Sequence, residues 1–461
     1  MSEMSEMSEK TSFVSTRNAC KLCAPLGASF AYLGVEGTVP LLHGSQGCST
    51  YIRRYGISHF REPIDIASSN FTESAAIFGG ELNLGMALGN VTRQYGPKAI
   101  GVASTCLSET IGENVPMYLA RYKADRAKDA SESGDASAEG NPTEGEPVIF
   151  YASTPSYAGT HMEGFHAAVR AVVEALVPAG YGSPDARAGT PTERPVTGGR
   201  INVLSGFVST EDLRELHAIL GSFESTFTLL PDYSETLDGV SWDEYRKLPE
   251  GGTPLDSIRA MGTAVRTIAL GTDVAAERDA GAWLEARRGV PLARIPLPVG
   301  IENTDRFFEV LAEATGKPVG ERWIKARGRL VDAYIDGHKY AAGKKAILYG
   351  ENDFVAAVGS FLAEIGVKVV LTGGPEADFA TMAEQAKGLG ADFAMGNSKG
   401  LFLARRLGIP LVRCGFPVHD RIGAQRILHL GYRGTLNLFD LVCNALMESR
   451  QEAAGIGYTY I

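Results

Sequence analysis

The chain has 461 residues, of which 44% are hydrophobic and 21% are charged, and its formal net charge is -10 at pH 7. This length predicts about three domains of ordinary size, with enough apolar material for buried cores. The acidic balance argues against a nucleic-acid binder, because phosphate binding depends on clustered Lys and Arg side chains.

The N-terminus and the cysteine content indicate a cytoplasmic protein. Residues 1–18 are predicted to form a disordered tail and N-terminal arm, because they repeat Met-Ser-Glu and lack the apolar core of a signal peptide. The apolar stretch 22–42 contains Glu36, several glycines and two prolines, so we do not expect it to cross a membrane. Six cysteines without a secretory signal indicate a reducing compartment and thiols kept for ligation or packing.

Residues 19–198 are predicted to form a first α/β domain, because short apolar runs alternate there with helical patterns. Its predicted elements are a helix over 75–95, strands over 99–103 and 148–151, and a helix over 161–176. Residues 125–146 contain almost no large apolar side chain and are predicted to form a solvated insert.

The rest of the chain repeats this pattern. A Gly-, Pro- and Thr-rich segment, 180–199, marks the predicted boundary to a second α/β domain, 199–342. The third domain, 343–461, is predicted to contain strands over 346–349, 367–371, 393–395 and 411–413 and helix 353–365. The predicted fold is therefore α/β, with three doubly wound parallel-sheet (Rossmann-like) domains. The glycines after two of these strands do not complete Gly-x-Gly-x-x-Gly, which argues against a dinucleotide site.

Three cysteines stand where loops are expected to leave strands. Cys23 precedes Ala-Pro-Leu-Gly, Cys48 ends a Gly-x-x-Gly turn, and Cys106 follows the apolar run 99–103. Parallel sheets bind ligands beyond the carboxyl ends of their strands. Clustered thiolates select iron-sulfur clusters or zinc, and the wide gaps between these cysteines suit ligands gathered by a fold. Core packing is the alternative interpretation for any single cysteine.

Three thiolates are one short of an ordinary four-thiolate cluster. The missing ligation would come from Cys20, from a group other than cysteine, or from a second polypeptide. Cys414 and Cys443 lie in the apolar C-terminal part and are predicted to pack in its core. The histidines show no triad spacing with a serine, cysteine or carboxylate, so we expect them to serve as packing or capping groups.

The segments that carry these cysteines resemble the β-type subunit of nitrogenase component 1 and its relatives. The resemblance rests on Cys23 and on Leu-Leu-His-Gly-Ser-Gln-Gly-Cys at 41–48, His-Phe-Arg-Glu-Pro at 59–63, Ile-Phe-Gly-Gly at 77–80 and Thr-Cys-Leu-Ser-Glu-Thr-Ile-Gly at 105–112. It continues more thinly to the end of the chain and fails at the N-terminal tail and at two inserts.

The resemblance implies a metal centre shared with a second subunit. In that family, three cysteines from each of the α and β subunits hold an [8Fe-7S] P-cluster, so Cys23, Cys48 and Cys106 are implied to form the β half. Ser156, in Thr-Pro-Ser-Tyr-Ala-Gly, resembles the serine whose oxygen coordinates one iron of the oxidised P-cluster. Helix or turn capping is the alternative role for Ser156.

Two aromatic residues also match positions of the family. Tyr51 is implied to lie between the P-cluster and an iron-sulfur active-site cofactor in the α subunit. Phe78 is implied to face the docking surface for a separate iron protein, which binds ATP and delivers electrons. The implied assembly is an α2β2 heterotetramer, and core packing is the alternative interpretation for both aromatic residues.

A second metal site is implied between two β subunits. Asp332 and Asp336 lie four residues apart on the predicted helix 321–339, so both carboxylates face one way. They resemble the family's two aspartates at a mononuclear site, to which Glu62 and the carbonyl group of Arg61 contribute from the other side. Oxygen ligands of this kind suit iron, calcium or manganese. Solvent exposure without a metal is the alternative interpretation.

Among family members, the chain is most similar to the nitrogenase-like methylthio-alkane reductases, which cleave carbon-sulfur bonds and release methanethiol. It lacks the long N-terminal extension of the molybdenum-enzyme β subunit, and its segment 44–54 differs from that of the vanadium and iron-only forms. A dinitrogen-reducing nitrogenase β subunit and a cofactor-assembly scaffold subunit are the alternatives, and the three cysteines count against the scaffold. Gly-Glu-Asn at 112–114 departs from the acidic pair expected there, which affects the expected detail of docking.

Overall fold

Three parallel β-sheets, each with helices packed around it, organise the described part of the chain in this computed structural model. The structure describes residues 20–132, 146–178, 198–244 and 246–454. The predicted N-terminal tail, 1–18, and nearly all of the predicted boundary segment, 180–199, lie outside these residues. The predicted α/β fold with three doubly wound parallel sheets is confirmed.

The first sheet has the strand order β2-β1-β3-β4, and its strands run parallel. The strands are β1 (Thr38–His43), β2 (Ala67–Ser68), β3 (Ala99–Ser104) and β4 (Val148–Ala152). The helices are α1 (Ala24–Leu33), α2 (Gln46–Phe60), α3 (Glu73–Phe78), α4 (Glu81–Tyr95), α5 (Cys106–Thr110), α6 (Val115–Glu132) and α7 (His161–Leu176). Every residue of β1 and β3 is buried, because helices cover both faces of the sheet. β2 lies on one side of β1 and β3 lies on the other, so the order in which strands join the sheet reverses between β1 and β3.

Two predicted elements of the first domain end elsewhere than expected. The predicted helix 75–95 is broken at Gly79, whose φ of 93° is a conformation that residues with a Cβ rarely adopt. The predicted insert 125–146 starts as helix, because α6 continues to Glu132 through several good helix formers. Side chains 125–128 of that helix are exposed, and 133–145 lie outside the described residues.

The second and third sheets repeat the first topology, with strand orders β6-β5-β7-β8 and β10-β9-β11-β12. The second domain contains β5 (Ile201–Leu204), β6 (Phe227–Leu230), β7 (Arg266–Leu270) and β8 (Leu292–Ile295), with α8 (Thr210–Ser222), α9 (Leu255–Arg259), α10 (Ala280–Arg288), α11 (Ile301–Thr315) and α12 (Glu321–Ala341). The third contains β9 (Lys345–Tyr349), β10 (Lys368–Gly373), β11 (Phe393–Gly396) and β12 (Leu411–Arg413), with α13 (Asn352–Glu364), α14 (Phe379–Gln385), α15 (Leu401–Leu407) and α16 (Gly431–Ala453).

The C-terminal helix α16 packs against the second domain. Tyr432 stacks on Phe308 of α11 with ring centres 5.2 Å apart, and Phe439 lies 5.1 Å from the ring of Tyr334 on α12. Just before α16, the chain is held by the buried carboxylate of Asp212 on α8. That carboxylate accepts hydrogen bonds from the backbone N–H groups of residues 429 and 430, at 2.6 and 2.9 Å. A buried carboxylate needs such donors, so the last two domains are joined by polar as well as apolar contacts.

Helices α1 and α7 cross with their backbones almost touching. A Cβ atom at Gly27 would overlap the backbone carbonyl oxygen of His161, and one at Gly164 would overlap that of Ala24. All of α1 is buried. The two glycines therefore set the distance between the start of α1 and the start of α7.

We expect Gly27→Ala and Gly164→Ala to destabilise the protein strongly, because the new methyl group meets backbone that cannot move aside. Overpacking of a core costs typically about 1–3 kcal/mol, and this clash should reach at least that range. The measurement is the thermal unfolding midpoint of the purified protein.

Gly89→Ala is the matched control. Nothing lies within 4 Å of a Cβ atom at Gly89, which sits in α4. Alanine is a better helix former than glycine by up to about 1 kcal/mol, so this change should leave the midpoint unchanged or raise it. Equal midpoints for all three variants would contradict the proposed close crossing.

Candidate metal centre

The three predicted thiol ligands lie at the starts of three helices. Cys23 is the N-cap residue of α1, Cys48 lies in the first turn of α2, and Cys106 is the first residue of α5. α2 follows β1 and α5 follows β3, so two of the thiols lie at the carboxyl ends of adjacent strands. The strand order reverses between these two strands, which is where open α/β sheets bind ligands.

Ser156 connects Cys106 to the residue that follows Cys23. Its backbone N–H group donates a hydrogen bond to Cys106 Sγ at 3.3 Å, and its Oγ accepts one at 3.2 Å from the N–H group of Ala24. Ala24 directly follows Cys23. Cys48 and Cys106 lie near enough to the Cys23 thiol for both to raise its pKa. The structure therefore brings Cys23, Cys48, Cys106 and Ser156 together.

The environment of Cys23 favours a protonated thiol until a metal binds. Burial raises the pKa of Cys23 to about 11, and the nearby Cys48 and Cys106 add to the increase. Because thiolates are the metal-binding form, metal uptake here must release a proton. Cys23 and Cys48 are partly buried and Cys106 is exposed, so the site opens on the surface of the chain.

The donor set fits a group larger than one metal ion. Among the described residues, no three or more His, Cys, Asp and Glu side chains are placed to hold a single ion. The described residues thus form no closed zinc site by themselves. Soft thiolates with one nearby hydroxyl suit an iron-sulfur group that spans them, with further ligands from outside the chain.

The other cysteines lie elsewhere. Cys20 is 2% exposed and packs in a separate core cluster with Tyr349 and Phe379. Burial raises the pKa of its thiol to about 12, and its backbone N–H donates to Ala377 in the third domain. Cys20 therefore lies in a different core cluster from the three thiols of the candidate site. The predicted core positions of the C-terminal Cys414 and Cys443 are confirmed, at 0% and 7% exposure.

Glu109 contacts the loop that leads to Ser156, a role that the sequence analysis missed. On α5, its Oε1 accepts hydrogen bonds from the Ser153 hydroxyl at 2.6 Å and from the Tyr151 hydroxyl at 3.4 Å. Ser104 Oγ also donates to it. A glutamate one helical turn after Cys106 was the available hint, but its partners lie far away in the sequence.

Glu113, where the chain departs from the family pattern, is an internal residue. Its Oε2 lies 3.1 Å from Nε2 of the buried His43, and its Oε1 accepts a hydrogen bond from the N–H of Gly80 at 2.9 Å. The Glu113 side chain is 3% exposed. This carboxylate therefore ties the junction of α3 and α4 to the end of β1 and is not available as an exposed docking charge.

The two aromatic residues singled out from the sequence are exposed, so the core-packing alternative does not hold for them. Tyr51 is 57% exposed and Phe78 is 86% exposed. The Tyr51 ring lies 5.2 Å from that of Tyr55, which lies 5.3 Å from His419. Phe78 belongs to an exposed apolar patch on α3 and α4, which we define as Ile77, Phe78, Leu82 and Met86.

The four residues of the predicted mononuclear site do not meet within one chain. Asp332 and Asp336 are exposed on α12, whereas Arg61 and Glu62 follow α2. Burial raises the pKa of Glu62, an effect that Asp238 increases and Arg426 opposes. Since no single-ion site closes among the described residues, this site stays a prediction about two copies of the chain.

A large surface cavity is separate from the thiols. It has a volume of about 750 Å³ and lies between α4 and α6, beside Ile100 at the amino end of β3 and Val148 at the start of β4. The cysteines lie at the other end of this sheet. The cavity is therefore not part of the candidate metal centre.

The fold agrees with comparisons against known proteins. The profile of the family described as nitrogenase component 1 type oxidoreductase matches residues 23–447. The chain belongs to this family of oxidoreductases. In the described residues, no helix is long and apolar enough to span a membrane.

The relatives identify the chain as a β-type subunit of that family. It is 35% identical to the nitrogenase molybdenum-iron protein beta chain of Clostridium pasteurianum, over 94% of this chain and 93% of the relative. It is 31% identical to the nitrogenase iron-molybdenum cofactor biosynthesis protein NifN of Sinorhizobium fredii, over 96% and 95%. The solved structure "Nitrogenase Cp1 at pH 6.5" superposes with a TM-score of 0.86 at 30% identity, over 100% and 98%.

We expect the six thiols of the metal-free chain to react at different rates with an alkylating reagent. Cys106 should react fastest because it is exposed, and Cys23 more slowly because burial raises its pKa to about 11. Cys20, Cys414 and Cys443 should react only after unfolding, because they are buried. Mass spectrometry of peptides taken at successive times gives the rates. Labelling of Cys20 as fast as Cys106 would be inconsistent with this arrangement.

Proposed function

We propose that this chain is the β subunit of an α2β2 nitrogenase-like reductase and holds half of an [8Fe-7S] P-cluster at its contact with an α-type subunit. The convergence of Cys23, Cys48, Cys106 and Ser156 at the edge of the first sheet carries this proposal. Three thiols do not complete the ligation of an iron-sulfur cluster, so the remaining ligands must come from another polypeptide. The exposure of Cys106 supports a contact of this kind, because it leaves the thiol accessible to a partner.

The residues around the site have defined tasks in this proposal. When bound, the cluster supplies one-electron redox chemistry, and the three thiols bind it after losing their protons. Ser156 holds the loop against α1 through the N–H group of Ala24. Moving its Oγ from that N–H group to iron would add a hard oxygen ligand, which favours a more oxidised metal.

The surroundings fit a relay of electrons between two partners. The apolar patch of Ile77, Phe78, Leu82 and Met86 offers a docking surface for an iron protein that binds ATP and delivers electrons. Glu113 contacts both Gly80, between α3 and α4, and His43, at the end of the strand β1 that precedes Cys48. The exposed ring of Tyr51 lies one helical turn after Cys48, and in this proposal it would face the iron-sulfur active-site cofactor of the α subunit.

The proposed second metal site would form between two β subunits. Asp332 and Asp336 are exposed on one helix, which leaves their carboxylates available to another copy of the chain. Glu62 and the carbonyl group of Arg61 would complete a mononuclear iron or calcium site from that copy. Carboxylate and carbonyl oxygens are suitable ligands for both ions.

For the substrate, we propose a methyl thioether, which the complex would cleave at a carbon-sulfur bond to release methanethiol. Two electrons and two protons convert the thioether to a hydrocarbon and the thiol, and a relay subunit suits this demand. The resemblance noted in the sequence analysis supports this choice, together with the segment 44–54, which differs from that of the vanadium and iron-only forms.

Two further functions have specific support. The 35% identity to a molybdenum-iron protein beta chain favours dinitrogen reduction. The 31% identity to NifN favours a scaffold on which a cofactor is assembled. The presence of Cys23, Cys48 and Cys106 counts against the scaffold, because typical scaffold β-type chains are expected to lack most of these cysteines.

We expect Cys23→Ala, Cys48→Ala and Cys106→Ala each to lower the iron bound by the purified complex, because each removes a thiolate ligand. Ser156→Ala should retain the iron but change the spectrum of the oxidised cluster, since serine is proposed to bind iron only in that state. Iron analysis and electron paramagnetic resonance measure the two effects.

Cys20→Ala is the control for the thiol variants. Cys20 is only three residues from Cys23 in the sequence, but its side chain is buried in a different core cluster. It should leave the iron content unchanged. Full iron content in all three ligand variants would refute the proposed cluster site. An unchanged oxidised spectrum in Ser156→Ala would remove only the role of the serine.

We expect the complete complex, supplied with its iron protein, ATP and a reductant, to release methanethiol from a methyl thioether. Gas chromatography detects methanethiol, and a parallel assay under dinitrogen detects ammonia. Ammonia without methanethiol would establish the second function. A complex that forms neither product but transfers a cofactor to an apo-enzyme would establish the scaffold.

A further inference from the structure

A small internal cavity, distinct from the thiol site, lies where the three domains meet. Its volume is about 50 Å³. The first domain contributes His161, and the other polar lining comes mainly from the third domain. The residues used below are His161, Phe207, Tyr349, Glu351, Asn397 and Phe416.

The topology of two sheets places this cavity at a ligand-binding position. Phe207 follows β5 and Leu270 ends β7, and the second sheet reverses its strand order between these strands. Glu351 follows β9 and Asn397 follows β11, which are the corresponding strands of the third sheet. Open α/β sheets bind ligands in the crevice at such a reversal. Here the crevices of two sheets open into one space.

His161 has unsatisfied hydrogen-bonding capacity in this cavity. It is 1% exposed, and burial lowers the pKa of its imidazole to about 3, so the ring is neutral. Neither ring nitrogen has a hydrogen-bond partner among the described residues. Nδ1 lies 3.3 Å from Glu351 Oε1, but the two groups are not aligned for a hydrogen bond. A neutral imidazole carries one donor and one acceptor, and buried polar atoms are nearly always paired with protein or water.

Glu351 faces the ring as a second polar group. Burial raises its pKa to about 8, and the charge of Glu163 adds to the increase, so the carboxyl group is mostly protonated at pH 7. A hydrogen bond at 3.3 Å from the Thr160 hydroxyl opposes this increase. Asp273 and Glu376 also raise the pKa of Glu351. Glu351 in turn raises the pKa of Cys20 and of Lys399. A protonated carboxyl both donates and accepts, as the histidine does.

The remaining wall restricts what can bind. Phe207, Phe416 and Tyr349 line the space with rings, and the Tyr349 hydroxyl already donates to the Asn397 carbonyl group at 2.6 Å. The described residues offer no group of three metal-ligating side chains here or elsewhere. The nearby carboxylates of Glu163, Asp273 and Glu376 disfavour the binding of an anion. The volume exceeds the roughly 10–15 Å³ that one water requires but is far below the roughly 300 Å³ of a typical cofactor pocket.

We propose that this cavity is a binding site for a small uncharged polar ligand, a few water molecules in the resting protein, held between the His161 imidazole and the Glu351 carboxyl group. The ligand completes the hydrogen bonding of both side chains and so connects the first domain to the third. The site is independent of the iron-sulfur cluster, because none of its polar groups is a proposed metal ligand.

A high-resolution crystal structure of the purified complex tests the site directly. We expect density for ordered water within hydrogen-bonding distance of a His161 ring nitrogen and of the Glu351 carboxyl. In His161→Phe, the water next to residue 161 should be lost. His217→Phe is the matched control, because His217 is partly exposed and pairs with Asp232 outside the cavity. Its structure should keep the water.

An empty cavity, a direct hydrogen bond between His161 and Glu351, or density for a metal ion would each overturn the proposal. If His161→Phe does not fold, infrared spectroscopy of the unmodified complex and of Glu351→Gln decides. The unmodified complex should show a protonated-carboxyl band at pH 7 that shifts in heavy water and is missing from Glu351→Gln. Identical spectra would mean that Glu351 is ionised and that the ligand is not held as proposed.

Discussion

The candidate metal centre depends on the close crossing of α1 and α7. Gly27 and Gly164 let the two backbones meet, and no side chain larger than hydrogen fits at either position. Cys23 caps the start of α1 and pairs with Thr160 at the start of α7. The crossing thereby fixes one thiol against the loop that leads into α7. A rigid backbone contact of this kind positions ligands without help from the metal.

Polar contacts extend this order to the rest of the site. The backbone N–H group of Ser156 donates a hydrogen bond to Cys106 Sγ, and its Oγ accepts one from the N–H group of Ala24. Glu109 accepts hydrogen bonds from three hydroxyl groups, those of Ser104 in β3, Tyr151 in β4 and Ser153 in the loop before Ser156. Burial keeps the pKa of Cys23 high, so a proton competes with any metal for the electron pair of its sulfur atom. In the proposed centre, this chain shapes one half and a partner subunit would complete the other. The exposure of Cys106 is consistent with that proposal.

One topology serves two different purposes in this molecule. All three sheets reverse their strand order after the second strand of the series, which creates a crevice at the carboxyl ends. In the first sheet that crevice carries cysteines and faces outward. In the second and third sheets the crevices face each other and are closed by Phe207 and Phe416. The fold therefore provides the positions, and the side chains placed there decide what each position can bind.

Local patterns in the sequence determined the α/β class, the long buried strands and most helices, because apolar periodicity follows from backbone geometry. They also pointed to Cys23, Cys48 and Cys106 through their places after strands. Only the tertiary structure decided which cysteines converge. Cys20 stands three residues before Cys23 yet packs on the third domain, because the chain there hydrogen-bonds to Ala377. The partners of Glu109 and the 3.3 Å approach of His161 Nδ1 to Glu351 were equally hidden, since contacts between distant segments depend on the path of the whole backbone.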